Sequence, residues 1–318
     1  MMKDQGTYRI KPERTTVFSL LGPTAVGKTA LALELARELN AEIISVDSMQ
    51  VYRHLDIGTA KATPEERRLV RHHLIDVVEP DREYSLARFL DDTGRAMEEI
   101  YGRGRGVLFT GGTGLYFRGL QEGIFELKIE SDPGLKEHLR QRLDQEGCSG
   151  LYRELTRVDP VSAARIHPHD RQRLLRALEI FHLSGKPWSE HLRQSAPAPL
   201  LPAGTPVIGL TQPRDLLYDR INRRVDIMLE QGFEQEVEGL LRRGYGPELP
   251  PMQAIGYRHM VEYLSGQRNL EATRELMARD TRRYAKRQLT WFRRMPTVEW
   301  FTPDDLEGIM RRLSMGGS

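Results

Sequence analysis

Eight consecutive residues, Gly22-Pro23-Thr24-Ala25-Val26-Gly27-Lys28-Thr29, constrain this chain more than any other stretch. They follow an apolar run at residues 17–21 and precede residues 30–39, where Leu31, Leu35 and Leu39 recur at helical spacing. Strand, glycine loop and helix in that order make a phosphate loop. In such a loop successive backbone N–H groups curl around an anion, the helix N-terminus adds positive potential, and Lys28 supplies a full charge. The Thr29 hydroxyl can hold a divalent cation. The ligand therefore carries a diphosphate or a longer phosphate chain, and the loop leaves open what is attached to it. An accidental glycine turn is the bland alternative, and the flanking strand and helix weigh against it.

The rest of the chain reads as a doubly wound α/β core interrupted by a helical insertion. Residues 41–46 form a short apolar strand ending at Asp47, and the strands of such sheets present their C-terminal ends to the ligand crevice. Asp47 is thus expected beside the phosphate loop, with residues 48–53 as a loop lining the site. Residues 72–78 read as a strand that Pro80 stops. Ser85 caps a helix over 86–101, and 107–110 is a buried strand running into Gly111-Gly112-Thr113-Gly114. From residue 121 to 206 the pattern turns to charged helical segments, started by Asp132-Pro133, by Asp159-Pro160 and at His169, and closed by Pro187 and a proline-rich stretch. Residues 207–210 return to strand character and are expected to complete the core sheet, with helices following. The expected organisation is a P-loop parallel-sheet core over 15–120, a helical insertion over 121–206, and the last strand with C-terminal helices over 207–318.

Composition excludes several classes. The 318 residues are 39% hydrophobic, enough for a full core, and 47 basic against 45 acidic side chains leave a net charge of +2. Any nucleic-acid surface must therefore be a local concentration of Lys and Arg. One cysteine, Cys148, permits neither an internal disulfide nor a cysteine-based zinc site, and the nine histidines form no metal motif. Residues 1–14 are polar, without the apolar core of a signal peptide, and no run of about eighteen apolar residues occurs. A soluble, cytoplasmic protein that does not enter membranes is the expectation.

Three sets of residues carry chemistry. Asp47 suits either a metal ligand or the acceptor of a proton from an incoming nucleophile, and spacing is compatible with both. The strand at 107–110 ends in glycines where a nucleotide-hydrolysing enzyme commonly has an acid. Arg220 and Arg224 stand one helical turn apart and can meet one anion, unless they only solvate a helix face. Residues 279–294 hold seven basic side chains with Tyr284, Trp291 and Phe292 among them, a mixture suited to single-stranded nucleic acid or to a basic surface helix.

The phosphate loop, Ile44-Ser45-Val46-Asp47-Ser48-Met49-Gln50-Val51-Tyr52-Arg53, Asp56-Ile57-Gly58-Thr59-Ala60-Lys61, Gly111-Gly112-Thr113-Gly114-Leu115-Tyr116, residues 171–179, Ala254-Ile255-Gly256-Tyr257-Arg258 and Ala285-Lys286-Arg287-Gln288 through Trp291 together resemble the tRNA dimethylallyltransferase family, in order over about residues 15–300. The phosphate loop is shared with many enzymes; the run from Asp47 to Arg53 is the specific part. The resemblance implies transfer of a dimethylallyl group from dimethylallyl diphosphate to the exocyclic amine of the adenosine 3′ of a tRNA anticodon. It implies Asp47 as general base, and diphosphate held by Gly22, Pro23, Thr24, Ala25, Val26, Gly27, Lys28, Thr29 and Arg224, with possible help from Arg220. It also implies Mg2+ near Thr29, and contact with the tRNA anticodon stem-loop by Asp47, Ser48, Met49, Gln50, Thr113, Gln172, Arg173, Leu174, Leu175 and Arg176, with Gln50 reading base edges. The eukaryotic zinc finger has no counterpart, so the bacterial, monomeric form is expected. The competing readings are a P-loop kinase of a small hydroxyl substrate, a prenyltransferase of free adenine nucleotides, and an RNA-binding module without turnover.

Overall fold

The computed structural model describes residues 16–123, 132–194 and 198–315. The polar start at 1–14 lies outside them. In chain order the elements are β1 (Val17–Leu21), α1 (Lys28–Glu38), β2 (Ala41–Val46), α2 (Pro64–Leu69), β3 (His72–His73), α3 (Leu86–Gly102), β4 (Gly106–Gly111) and α4 (Gly114–Glu122). Next come α5 (Pro133–Val158), α6 (Pro160–Ala163), α7 (Arg171–Ser184) and α8 (Trp188–Gln194). Then follow β5 (Val207–Leu210), α9 (Arg214–Glu230), α10 (Phe233–Arg242), α11 (Tyr257–Leu264), α12 (Leu270–Phe292), β6 (Val298–Phe301) and α13 (Leu306–Met315). The chain divides into two compact units, one of Met1–Gln121 with Leu200–Ser318 and the other of Glu122–Pro199.

The first unit is built on one sheet of parallel strands in the order β3-β2-β4-β1-β5-β6. Its central strands read as apolar runs because helices cover both faces, and Phe18, Leu20, Ile43, Leu108 and Ile208 are fully buried. Each such side chain contributes about 1.5–3 kcal/mol on leaving water. Register fixes what the strands deliver: Leu21 pairs with Gly111 and Gly111 with Val46. The residues that follow, Gly22, Gly112 and Asp47, therefore leave the sheet side by side.

The helical unit is simpler. Asp132, Asp159 and Asp170 cap α5, α6 and α7 by accepting from backbone N–H groups of the first turn. Leu139, Leu143, Leu151, Leu155, Leu174 and Leu178 pack as its core. Gly147, at φ 69° and ψ 178°, breaks α5 into two stretches, a conformation that favours glycine.

Two elements differ from the sequence expectation. The strand at 72–78 stops after His73, because Leu74 and Asp76 take left-handed φ values of 59° and 58°. Asp76 is held there by Lys61 at 2.6 Å and Arg67 at 2.7 Å, and 76–78 then bond to the loop at 50–53, with an isolated bridge between Val78 and Tyr52 outside the sheet. β5 does not complete the sheet, since β6 pairs along its outer edge from a region read as helical. Gly114, in the glycine run after β4, begins α4.

Candidate functional site

A cavity of about 860 Å³ opens at the C-terminal ends of the strands, lined wholly by residues of the sheet-containing unit. The phosphate loop forms one wall. Gly27, at φ 109°, caps α1, and Ala25 is left-handed at φ 64°. Such an alternation of hands turns successive backbone N–H groups toward one point. Ala25 is supported from outside, since its carbonyl accepts from Arg220 Nε at 2.9 Å.

Lys28 folds back over the loop and donates to the carbonyls of Gly22 at 2.9 Å and Pro23 at 2.8 Å. Burial, with Arg224 adding repulsion, lowers its pKa to about 7, while Asp47 partly opposes the drop. Burial also lowers the pKa of Arg224, and Asp47 favours its charge. Two cations and one carboxylate thus feel one another inside one cavity, which Thr29 and Arg220 also line. An anion bound there neutralises the crowded positive charge.

Asp47 leaves β2 in a tight turn, its Oδ1 accepting from the Met49 N–H at 2.8 Å and the Gln50 N–H at 3.3 Å. Among the described residues no hydrogen bond holds Oδ2. Ser48 N–H donates to Thr113 Oγ1 at 3.0 Å, so Thr113 steadies the same turn from the end of β4. Gln50 is bonded at both ends of its carboxamide, accepting from Ser45 Oγ at 2.8 Å and donating to the carbonyls of Thr59 and Ala60 at 3.3 Å. These bonds brace the cavity wall. Met49, Ile43, Val225, Met228, Ile255 and Met277 supply apolar lining.

The segment 56–61 is held against this wall from α10. Glu236 accepts the N–H groups of Asp56, Ile57 and Gly58 at 2.9, 2.6 and 3.2 Å, and the Tyr257 hydroxyl at 2.7 Å. Gly58 lies so close to the rings of Phe233 and Tyr257 that a Cβ would collide with both. Glu236 was missed because a glutamate on an amphipathic helix reads as solvated.

In the aromatic and basic segment the side chains divide between cavity, core and surface. Tyr284 lines the cavity and burial raises its pKa, with the negative field of Asp47 adding to the shift. Phe292 is fully buried, edge-on to Phe117 at 6.0 Å, and Trp291 packs on Gly114. These rings serve the fold of the core, while Arg283, Lys286, Arg287, Arg293 and Arg294 remain exposed. Gln288, 6% exposed, accepts from the Thr24 N–H and donates to the Gly112 carbonyl, both at 2.9 Å. The one available signal was its place three residues after Ala285, a polar side chain on the buried stripe.

The residues at the start of α7 belong to the helical unit and take no part in the cavity lining. Gln172 and Arg173 are exposed, Arg173 lying 3.5 Å from Asp170, and Arg176 pairs with Glu179 at 2.8 Å. Leu174 corrects the sequence expectation: it is 0% exposed in the leucine core, so its side chain presents nothing to RNA. Leu175 packs against that core and is half-buried.

No group of three or more His, Cys, Asp or Glu side chains suited to a metal occurs among the described residues. The hydroxyl of Thr29, in the first turn of α1 and on the cavity, is an oxygen donor of the sparse kind that Mg2+ accepts when substrate phosphates and waters complete its shell.

Two family models match the sequence, IPP transferase over residues 50–295 and isopentenyl transferase over 15–79. A tRNA dimethylallyltransferase of Syntrophobacter fumaroxidans is 49% identical over 301 residues, covering 93% of this chain and 86% of the relative. The crystal structure of the full-length tRNA isopentenylpyrophosphate transferase of Bacillus halodurans is 40% identical with a TM-score of 0.69, over 95% of this chain and 98% of that one. A eukaryotic dimethylallyltransferase acting on tRNA is 30% identical with a TM-score of 0.77, over 95% of this chain and 77% of that one.

Proposed function

The chain belongs to the IPP transferase family, and from that premise we propose how its cavity carries out tRNA dimethylallyl transfer. The donor is dimethylallyl diphosphate and the acceptor is the exocyclic amine of the adenosine immediately 3′ of the anticodon. The observation that carries this reading is the meeting of Lys28, Arg224 and Asp47 in one cavity with the phosphate loop.

The diphosphate lies in the loop, facing its backbone N–H groups, Lys28 and Arg224, with Arg220 bracing the loop at Ala25. The apolar lining receives the branched five-carbon chain. An adenine stacked in the anticodon loop is out of reach, so the base is extruded into the cavity. Its amine lone pair is delocalised into the ring, which makes it a weak nucleophile. As the nitrogen bonds to the terminal carbon of the dimethylallyl group, the carbon–oxygen bond to diphosphate breaks and the amine proton passes to Asp47 Oδ2. The Met49 and Gln50 N–H groups hold Oδ1 and so orient that oxygen. Negative charge grows on the departing diphosphate, where the loop amides and the two cations stabilise it. Mg2+ held by Thr29 and the diphosphate oxygens would supply further charge neutralisation.

The helical unit grips the anticodon stem-loop backbone through Arg173 and Arg176 with Gln172 beside them. No described helix is long and apolar enough to cross a membrane, and a single chain acting on cytoplasmic tRNA completes the reading. The test is mass spectrometry of tRNA incubated with the protein, dimethylallyl diphosphate and Mg2+ without ATP. One added five-carbon unit at the adenosine 3′ of the anticodon is the expected outcome. A strict need for ATP with release of ADP would favour a kinase and overturn it. Free adenosine monophosphate should be a very poor acceptor.

A further inference from the structure

The diphosphate loop and the carboxylate that takes the proton sit on different strands, yet transfer requires them at a fixed separation. The distance the reacting atoms must cross is set by where Thr24 and Asp47 stand relative to one another. A line of hydrogen bonds and short backbone links joins them. Thr24 N–H donates to Gln288 Oε1, Gln288 Nε2 donates to the Gly112 carbonyl, and the next residue, Thr113, accepts the Ser48 N–H beside Asp47. Thr113 N–H also donates to the Val46 carbonyl, directly before Asp47.

Only one link in this line comes from outside the sheet's own loops. Gln288 is delivered by α12, 264 residues along the chain from Thr24 and 176 from Gly112. It is almost wholly buried on a stripe that includes Ala285 and Phe292. A carboxamide offers an acceptor and a donor from one planar terminus, and both are used. The Thr24 N–H, which could otherwise turn into the loop, is committed to this strut. Gly112 fits the same design, because a Cβ there would collide with Gln288 Nε2.

We propose that Gln288 is a positioning residue for the transfer reaction: its carboxamide spans the C-terminal ends of β1 and β4 and fixes the phosphate loop relative to the Asp47 turn. It touches neither the reacting amine nor the leaving group. Misplacement by about 1 Å of reacting groups costs on the order of a hundredfold in rate, and that is the scale at stake. The proposal rests on the transfer chemistry set out above, so an absence of transferase activity in the wild type counts against that chemistry, and a wild-type activity with normal variants counts against the strut.

Three variants test it. Gln288→Met keeps the shape and removes both bonds. Gln288→Glu keeps the acceptor for Thr24 and loses the donor to Gly112. Gly112→Ala displaces the carboxamide without altering it. Steady-state kinetics on an anticodon stem-loop, with Tm measured alongside, should show kcat lowered roughly thirtyfold to a hundredfold in folded protein. KM for dimethylallyl diphosphate and stem-loop affinity should stay within about threefold of wild type. Gly112→Ala added to Gln288→Met should cost nothing more, since both break the same strut. The proposal is overturned by a kcat within threefold of wild type in the folded variants, or by fully additive losses. A loss carried entirely by KM for the diphosphate makes Gln288 part of the diphosphate grip, and one carried entirely by stem-loop affinity makes it an RNA contact. Failure of all three variants to fold makes it a structural residue, and each of these results also overturns the proposal.

Discussion

The sheet-containing unit and the helical unit are built by different rules. Among the described residues, every non-glycine residue with a left-handed backbone lies in the first: Ala25, Asn40, His54, Ala60, Leu74 and Asp76. So do Lys28 and Arg224, cations whose charge burial disfavours. Those features are held by contacts between residues far apart in sequence, such as Gln288 with Thr24 and Glu236 with the amides of 56–58. The helical unit leans on aspartate caps, a leucine core and ion pairs a helical turn apart, Arg142 with Glu146 and Arg176 with Glu179, with fewer ties across the chain such as Arg171 to Asp144. A site that aligns a leaving group with a base must be over-determined, whereas a surface that meets a phosphate backbone tolerates local construction.

That contrast can be broken most directly at Asp47. Asp47→Ala should lower turnover by at least about a hundredfold with tRNA affinity little changed, and Asp47→Asn should be almost as poor because it takes no proton. Single-turnover rates at saturating tRNA check this, and full activity in the asparagine variant removes Asp47 from the role of base. Next in size is Lys28→Ala, expected to raise KM for dimethylallyl diphosphate and lower kcat together, for roughly a hundredfold loss in kcat/KM. An unchanged kcat would confine Lys28 to ground-state binding.

The depressed Lys28 pKa adds a pH signature. Above about pH 7 the free protein carries Lys28 largely neutral, and a bound anion draws the proton back. Diphosphate affinity should therefore weaken by up to about tenfold per pH unit above 7, with proton uptake visible by calorimetry in buffers of different ionisation enthalpy. Lys28→Arg should abolish that uptake. For folding the sign is opposite: between about pH 7 and 10.5 the unfolded chain binds more protons at this residue, so its contribution to stability improves as pH rises. The smallest effect belongs to the helical unit. Arg173→Ala with Arg176→Ala should weaken tRNA binding a fewfold and flatten its salt slope by about one to two, with turnover intact at saturation. An unchanged slope with a lowered Tm would show that these arginines only support the helix.

Much of the fold was legible for a reason that separates the same two regions. Ser85, Asp132 and Asp159 announced their helices because a cap is a contact within a single turn. Asp47 was placed beside the phosphate loop from strand ends alone, since parallel strands deliver their C-termini to one edge. The strand after His73 was misjudged because Lys61 and Arg67, ahead of it in the chain, pull Asp76 into a left-handed turn. β6 was invisible because four residues gain strand character only from pairing with β5.

The sequence by itself determined the phosphate loop, its flanking strand and helix, the carboxylate at the end of β2 and, through its chain-long resemblance, the family. Each of these depends on neighbours a few residues away or on motifs that keep their order. Only the tertiary structure decided that Tyr284 faces the cavity while Phe292 is buried. The same folding binds Gln50 inside the cavity wall, buries Leu174 in a core, and sets Gln288 and Glu236 as struts under two loops. A side chain's orientation on a helix is settled by what packs against it, and hydrogen bonds spanning 176 or 264 residues leave no periodic trace in the chain that makes them.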